Sequence, residues 1–303
     1  MATAWWQTAL HWPAVHSSPE PQAGEAVSTS HCWACGSPSV PTDVYLPVKL
    51  HQCTSCGLIF APQRTSDQAH DLYKGDAYFE QYPGGMVEES ATGLRLREAQ
   101  VRVGLVQRFV PSGRLLEIGA AGGHFLAEAR RAGFDVVGIE PTDNAAASAR
   151  ERFDIEVMQG FVEDIELPAA SLDAACAWHV VEHITEPVSA LEHVRGWLKP
   201  DGHLVIEVPN IGSMQARRKG PEWALLYHEH HVAHYSPLAI RRLLERAGYE
   251  VKLVQTVAYT MYRPPLSPMA WVSAARQLGL TRRAPWRPHA SAYELMQVVA
   301  LAP

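Results

Sequence analysis

The chain lacks three features that mark large functional classes. Its 303 residues carry 26 lysines and arginines against 32 aspartates and glutamates, so a formal net charge of −6 provides no basic field for nucleic acid. No apolar run reaches the roughly 18 residues that a membrane span needs. The first 30 residues lack the basic start and apolar stretch of a secretory signal. We therefore expect a cytoplasmic protein with a flexible leader at 1–30, no nucleic-acid partner and no membrane span.

Cysteine is also scarce, yet four of the five cysteines form two matched pairs. Cys32 and Cys35 form one pair and Cys53 and Cys56 the other, each with two residues between them and a glycine after them. This spacing lets both thiolates of a pair face one tetrahedral ion. A disulfide reading is disfavoured because nothing indicates secretion. We predict a structural Zn²⁺ site in a zinc-ribbon-like module at 31–62, and a buried, inert Cys176.

A glycine-rich turn joins an apolar strand to a helix between residues 114 and 126. The strand contains Glu117, and Gly119, Ala121 and Gly123 follow it. Such a turn requires positions without a Cβ where a ligand approaches the backbone, and alanine at 121 leaves room if its φ is negative. The next strand ends at Glu140, about 20 residues past the glycines, where a carboxylate suits two ribose hydroxyls. The pattern indicates a nucleotide-type cofactor site.

Further motifs follow in order: Asp164 in the loop after a third strand, a fourth strand at 172–178 that leads into His179, and a turn into a fifth strand at 198–209. On these motifs the chain resembles the class I S-adenosylmethionine (SAM) dependent methyltransferases over residues 90 to 260. The resemblance implies an α/β fold with a Rossmann-like seven-stranded sheet, whose last strand is antiparallel, and SAM as cofactor.

In that family the acid of the second strand holds the ribose. The resemblance therefore implies that Glu140 binds the ribose hydroxyls, that Asp164 binds the adenine amine, and that the loop from Glu117 to Gly123 binds the aminoacyl end. His179, at the exit of the fourth strand, is also assigned to the cofactor side.

Periodicity predicts where the helices and remaining strands lie. Helices are expected at 86–109, 123–132, 144–152, 187–198 and 237–247, and further strands at 250–257 and 293–301. Alternating strands and helices predict parallel strands with crossover helices on both faces. We predict a helical linker or substrate cap at 63–110 and a methyltransferase domain at 111–303. The arginine-containing segment 258–292 is either a substrate lid or a solvated insertion.

Two histidine-containing segments are candidates for acceptor chemistry. Residues 179–183 fit the H-x-x-E-H string of inverted zinc proteases, but they follow a strand instead of lying on a helix. We expect His183 either to point into the cleft at the carboxyl edge of the sheet or to cap the local helix.

The second segment is Tyr-His-Glu-His at 227–230, and it resembles the deoxysugar C-methyltransferases, where Glu-His supplies the base. That resemblance makes Glu229 and His230 the candidate catalytic pair, because an imidazole beside a carboxylate can abstract a proton near neutral pH. The alternative is a structural histidine cluster, with the base at His183 or Tyr78.

The exit of the fourth strand also bears on the acceptor. Methyltransferases of exocyclic amines usually carry Asn or Asp-Pro-Pro-Tyr or Phe there, and this chain has Ala-Trp-His-Val at 177–180. An oxygen or carbon of a small-molecule or glycosyl acceptor is therefore favoured. The alternative is a zinc-ribbon binding protein whose methyltransferase-like domain is inactive or only senses SAM. A nucleic-acid-reading ribbon is disfavoured because Lys49 is its only Lys or Arg.

Overall fold

Two β-sheets form the framework of the computed structural model, which describes residues 30–42, 49–73, 92–226, 230–258 and 293–303. The strands are β1 Ser30–His31, β2 Pro38–Thr42, β3 Leu50–Cys53, β4 Ile59–Phe60, β5 Gly113–Ile118, β6 Phe134–Glu140, β7 Val157–Gln159, β8 Leu172–Trp178, β9 Leu198–Pro209, β10 Ala233–His234, β11 Glu250–Val257 and β12 Leu295–Leu301. The predicted leader before Ser30 and the predicted insertion from 259 to 292 lie outside the described residues.

The large sheet has seven strands in the order β11-β12-β9-β8-β5-β6-β7. Strands β5 to β9 are parallel, and β12 inserts antiparallel between β9 and β11. This confirms the predicted seven-stranded class I methyltransferase sheet. The carboxyl ends of β5, β6 and β8 meet at one edge, which is where ligands of open α/β sheets bind.

Seven α-helices lie in the described ranges. They are α1 Ser66–Asp71, α2 Thr92–Gln107, α3 His124–Arg131, α4 Asp143–Phe153, α5 Pro187–Trp197, α6 Met214–Lys219 and α7 Pro237–Arg246. The bounds of α3, α4, α5 and α7 agree with the sequence prediction to within one residue, and residues 86–91 of the predicted linker helix lie outside the described ranges. None of the helices in these ranges is both long and apolar enough to cross a membrane.

Helix α2 packs against the sheet through its apolar residues. Val103, Leu105 and Val106 are buried, whereas Val101 is only half-buried. The helix also directs Arg102 inward, where its Nη2 lies 2.6 Å from Oε1 of the fully buried Glu207. A buried carboxylate needs such a partner, and a purely apolar pattern does not reveal it.

The small sheet contains the cysteine pairs and packs onto the large sheet. Its strand order is β1-β2-β3-β4-β10, so its last strand comes from residues 233–234, far from the others in sequence. Phe60 and Leu58 of this layer are fully buried in the same apolar cluster as Leu191 of α5 and Leu243 of α7. The packing of the described residues is therefore continuous across the predicted module boundary at residue 62, which stays a prediction.

The continuous packing leads to a stability prediction. Phe60 is inaccessible to solvent, so Phe60→Ala should destabilise the whole protein by about 3–5 kcal/mol, as large cavities in cores do. Val40→Ala is the matched control, because Val40 in the same sheet is 42% exposed and should change stability by less than about 0.5 kcal/mol. Urea unfolding followed by far-UV circular dichroism measures both. A Phe60→Ala effect as small as that of the control would show that the small sheet is independent of the core.

Candidate functional site

The loop after β5 presents mostly backbone atoms at the carboxyl edge of the sheet. Gly119 and Gly123 have φ values of +73° and +78°, and a Cβ at Gly119 would lie 2.6 Å from Cγ2 of Val180. Ala121 has a φ of 45°, so the condition under which its side chain was expected to leave room, a negative φ, is not met. The amide of Ala121 donates to Oε2 of Glu140 at 2.8 Å, and this hydrogen bond accompanies the left-handed conformation.

Two buried carboxylates accompany this loop. Glu140, at the end of β6, accepts hydrogen bonds from the amides of Ala121 and Thr142 at 2.8 and 2.9 Å. Burial raises the pKa of Glu140, and these backbone donors oppose the rise. Burial raises the pKa of Glu117 well above its usual range, and its Oε2 is buried with no hydrogen-bond partner in the described part of the chain. Both carboxylates have lone pairs left to accept hydrogen bonds, but of the two only Glu140 is among the described residues that line the cleft over this loop.

A cleft of about 460 Å³ opens over the loop. Gly119, Ala121 and Glu140 line one side, whereas Tyr73 and the half-buried histidine His183 line the other. The side chains of Arg95, Glu98 and Arg102 from α2 line it as well. The same cleft is therefore lined by a nucleotide-type loop and by titratable side chains.

The acid predicted to bind adenine lies beside the cleft. Asp164 follows β7 and is exposed, and it is not among the described residues that line the cleft. Its neighbour Glu163 does line it, together with Val162 and Phe161. The adenine role of Asp164 stays a prediction. Glu163 is the acid of this loop that lines the cleft.

His179 is held between two buried carboxylates. Its Nδ1 lies 3.4 Å from Oε1 of Glu182 and its Nε2 lies 3.3 Å from Oε1 of Glu207. Burial alone would lower the pKa of His179, but these two carboxylates raise it to about 9. His179 lines the cleft, and both of its nitrogens face carboxylates, so it bridges the acids at the strand exit.

His183 and His231 meet at the wall of the cleft that also contains Tyr73. Their ring centroids are 4.8 Å apart, and both residues line the cleft. Burial lowers the pKa of each to about 3, so both imidazoles are neutral at neutral pH. His230, the predicted base, is buried behind them, and its ring centroid lies 6.4 Å from that of Tyr73. Tyr227, Glu229 and Tyr78 lie outside the described residues.

Backbone hydrogen bonds fix the position of the segment that carries these histidines. The amide of Val232 donates to the carbonyl of Glu182 at 2.9 Å, and the carbonyl of Val232 accepts from the amide of Ala61 at 2.9 Å. Next to it, β10 pairs antiparallel with β4. The small sheet and the turn after β8 therefore hold residues 231–234 from two sides.

The four paired cysteines form one cluster. Sγ of Cys32 lies 3.5 Å from that of Cys56, and Sγ of Cys35 lies 3.5 Å from that of Cys53. All four sulfurs lie within 4.8 Å of one another, and all five cysteines are free thiols. The amides of Ser55 and Cys56 point at Sγ of Cys53, as the spacing predicts. The arrangement is compatible with a tetrahedral Zn²⁺ bound by Cys32, Cys35, Cys53 and Cys56.

Sequence reasoning did not single out three residues of this site. Glu182 and His231 lie close together here, although they are 49 positions apart, and Arg102 reaches the strand exit from α2. The carboxylate of Glu182 was visible in the H-x-x-E-H string, but the string does not form a helix face. Its last three residues form a single 3-10 turn, and His179 precedes that turn with a φ of 58°.

Known proteins resemble this chain in both sequence and fold. The sequence matches a family described as a methyltransferase domain over residues 94–254, which is more than half of the chain. The chain belongs to this methyltransferase family. Its class I SAM-dependent fold agrees with a SAM-dependent methyltransferase of Thermotoga maritima, which has a TM-score of 0.53 at 20% identity and covers 71% of this chain and 94% of that one.

Curated relatives of this chain match over shorter stretches. A ubiquinone biosynthesis O-methyltransferase of Rhodopseudomonas palustris is 30% identical over 102 residues, which is 32% of this chain and 40% of that protein. A Mycolicibacterium smegmatis protein named "Probable S-adenosylmethionine-dependent methyltransferase" is 25% identical over 118 residues, or 39% and 44% of the two chains. The chain thus spans less than half the length of these relatives.

The residues of the methyltransferase loop fit SAM. The partnerless Oε2 of Glu117 suits the ammonium of an aminoacyl group, since a buried carboxylate oxygen otherwise stays unsatisfied. The glycine positions keep side chains away from the loop surface, and Glu140 faces the cleft with a carboxylate suited to two hydroxyls.

Glu140→Gln should weaken binding of S-adenosylhomocysteine by about 1–3 kcal/mol, because it removes a charged acceptor from the ribose position. Glu151→Gln, an exposed position on α4, is the matched control and should bind as the wild type does. Isothermal titration calorimetry measures both. Equal affinities of the Glu140→Gln variant and the wild type would remove Glu140 from the cofactor site.

Proposed function

We propose that this protein transfers the methyl group of SAM to an oxygen or carbon atom of a small-molecule or sugar-type acceptor. The observation that carries the proposal is the single cleft that joins the Gly119–Glu140 cofactor wall to the wall formed by Tyr73, His183 and His231. An acceptor bound at the second wall would lie beside the cofactor. The names of the Rhodopseudomonas palustris relative and others like it favour an oxygen acceptor.

The acceptor wall suits a polar, oxygen-bearing molecule. It contains neutral imidazoles, and the same cleft is also lined by Arg95 and Glu98, whose side chains form an ion pair at 3.0 Å. SAM supplies an activated methyl group when it is bound, so the protein needs to orient the acceptor and remove its proton. In the proposed assignment Glu117 and Glu140 hold the cofactor, His183 and His231 position the acceptor, and His230 is the candidate base that removes its proton.

Methyl transfer to a panel of nucleotide sugars and phenols tests the proposal. We expect wild-type protein and SAM to convert at least one acceptor into its methylated product, detected by mass spectrometry. Deuterium incorporation into that acceptor without SAM indicates a carbon acceptor, because only the carbon route forms an enolate first. A folded protein that binds SAM but methylates none of the panel would favour the alternative of a SAM-sensing binding protein.

The histidine-containing segment at the second wall of the cleft leads to a prediction for the base. If His230, with Glu229, removes the acceptor proton, His230→Ala should lower turnover by about 10²–10⁴ and leave SAM affinity unchanged. His203→Ala is the control, since His203 lies on β9 against Phe109, away from the cleft-lining residues. Full activity of His230→Ala combined with a lower melting temperature would make His230 structural and direct the search to His183 or Tyr78.

We further propose that the cysteine cluster binds a structural Zn²⁺. Arg246 of α7 approaches the carbonyls of Cys32 and Trp33 at 3.4 Å, and Ser236 donates to the carbonyl of Cys56 at 3.3 Å. These contacts support a role in holding the small sheet against the methyltransferase core. They give no support to a ribbon that captures partners on its own.

Zinc content and stability test this role. Cys32→Ser should reduce bound zinc and lower the melting temperature, because the ion binds only when its four ligands are assembled. Cys176→Ala is the control, since Cys176 lies in β8 and should leave the zinc content unchanged. Metal analysis and differential scanning calorimetry measure the two effects. Zinc retention and unchanged stability in Cys32→Ser would contradict the proposed site.

A further inference from the structure

We propose that Glu182, His183 and His231 form a second metal site, which binds a divalent transition-metal cation and through it an oxygen atom of the acceptor. This inference rests on the proposed function, because it assigns a role to the acceptor wall of the same cleft. It makes an oxygen-bearing acceptor the ligand that completes the coordination of the ion.

The three side chains converge on one point. One ligand atom from each of Glu182, His183 and His231 lies within 4.8 Å of the other two. That separation allows a single ion to contact all three at ordinary bond lengths of about 2.0–2.2 Å with small side-chain adjustments. The first two ligands come from the turn after β8, and the third comes from the segment that β10 holds in place.

Glu182 is a buried carboxylate with an imidazole beside it and no hydrogen bond to its oxygens in the described part of the chain. It is 1% exposed. The His179 ring lies beside it, with Nδ1 3.4 Å from Oε1. A buried carboxylate without hydrogen bonds is costly, and a coordinated cation would offset this cost.

Both histidines have the hydrogen bonds that metal ligands usually have. Nδ1 of His183 lies 3.0 Å from the carbonyl oxygen of His230, and Nδ1 of His231 lies 3.0 Å from that of Leu225. An imidazole that donates its Nδ1 proton to a carbonyl presents the lone pair of Nε2. Metal-binding histidines are oriented in this way by backbone carbonyls.

The site opens toward the acceptor. His183 and His231 line the cleft, whereas the cysteine cluster lies in the small sheet. Three protein ligands leave coordination positions for an oxygen atom of the acceptor or for water. Two imidazoles and one carboxylate suit Mn²⁺, Fe²⁺, Co²⁺ or Zn²⁺ better than Mg²⁺, which prefers oxygen ligands.

The test counts bound ions in the full chain. Wild type, Glu182→Gln, His183→Asn and the control His203→Asn are equilibrated with Mn²⁺, freed of unbound ion and analysed for all divalent metals. We expect wild type and control to hold about one divalent ion per chain more than either cleft variant, because removing a ligand weakens binding at least about tenfold. The difference does not depend on the cysteine cluster, which all four proteins share.

Titration of the same samples with S-adenosylhomocysteine separates this inference from the proposed function. Ligand binding without a difference in ion count between wild type and both variants overturns the metal site alone. An ion difference without S-adenosylhomocysteine binding supports the metal site and counts against the proposed function. If Glu182→Gln does not fold, His183→Asn decides the outcome, because His183 is only half-buried.

Discussion

The pairing of β10 with β4 is the constraint on which the histidine-containing wall of the cleft depends. It holds a two-residue strand at the edge of the small sheet, while Val232 bonds to Ala61 on one side and to Glu182 on the other. His231, next to this anchor, is thereby placed 4.8 Å from His183, measured between ring centroids. The small sheet thus helps to position a histidine that lines the cleft. Its cysteines are not among the residues that line the cleft.

This arrangement connects stability and function. The apolar cluster that buries Phe60 also contains residues of α5 and α7, so loss of the small sheet would expose the core and release the segment around His231. In the proposed account, zinc bound by the cysteines affects the cleft indirectly, because it stabilises the small sheet in which β4 pairs with β10. The cofactor wall is positioned separately, by the parallel strands β5 and β6 and by the hydrogen bonds of Glu140 to the loop.

Much of this structure was accessible from sequence because it depends on local patterns. Alternating strands and helices predicted the large sheet, and the antiparallel last strand followed from the family resemblance. The cysteine spacing predicted the four-sulfur cluster, since each pair is built by a short turn. Glu140 was placed correctly at the end of β6 because strand length and the following helix are both local features.

The remaining features depend on contacts between distant residues. A strand of two residues such as β10 leaves no periodicity to detect, and Glu182 and His231 meet only after the two sheets have packed. The left-handed Ala121 could not be predicted either, because its conformation accompanies the hydrogen bond to Glu140 from the neighbouring strand. Arg102 was obscured for a similar reason, since its partner Glu207 lies 105 residues away.

A crystal structure of the full chain with S-adenosylhomocysteine tests the central claim most directly, namely that one cleft joins a cofactor wall and an acceptor wall. The account predicts that the ribose hydroxyls contact Glu140, that the amino group lies near Glu117, and that the sulfur faces the side of the cleft lined by His183 and His231. A ligand bound elsewhere, or bound with its sulfur directed away from those histidines, would contradict it.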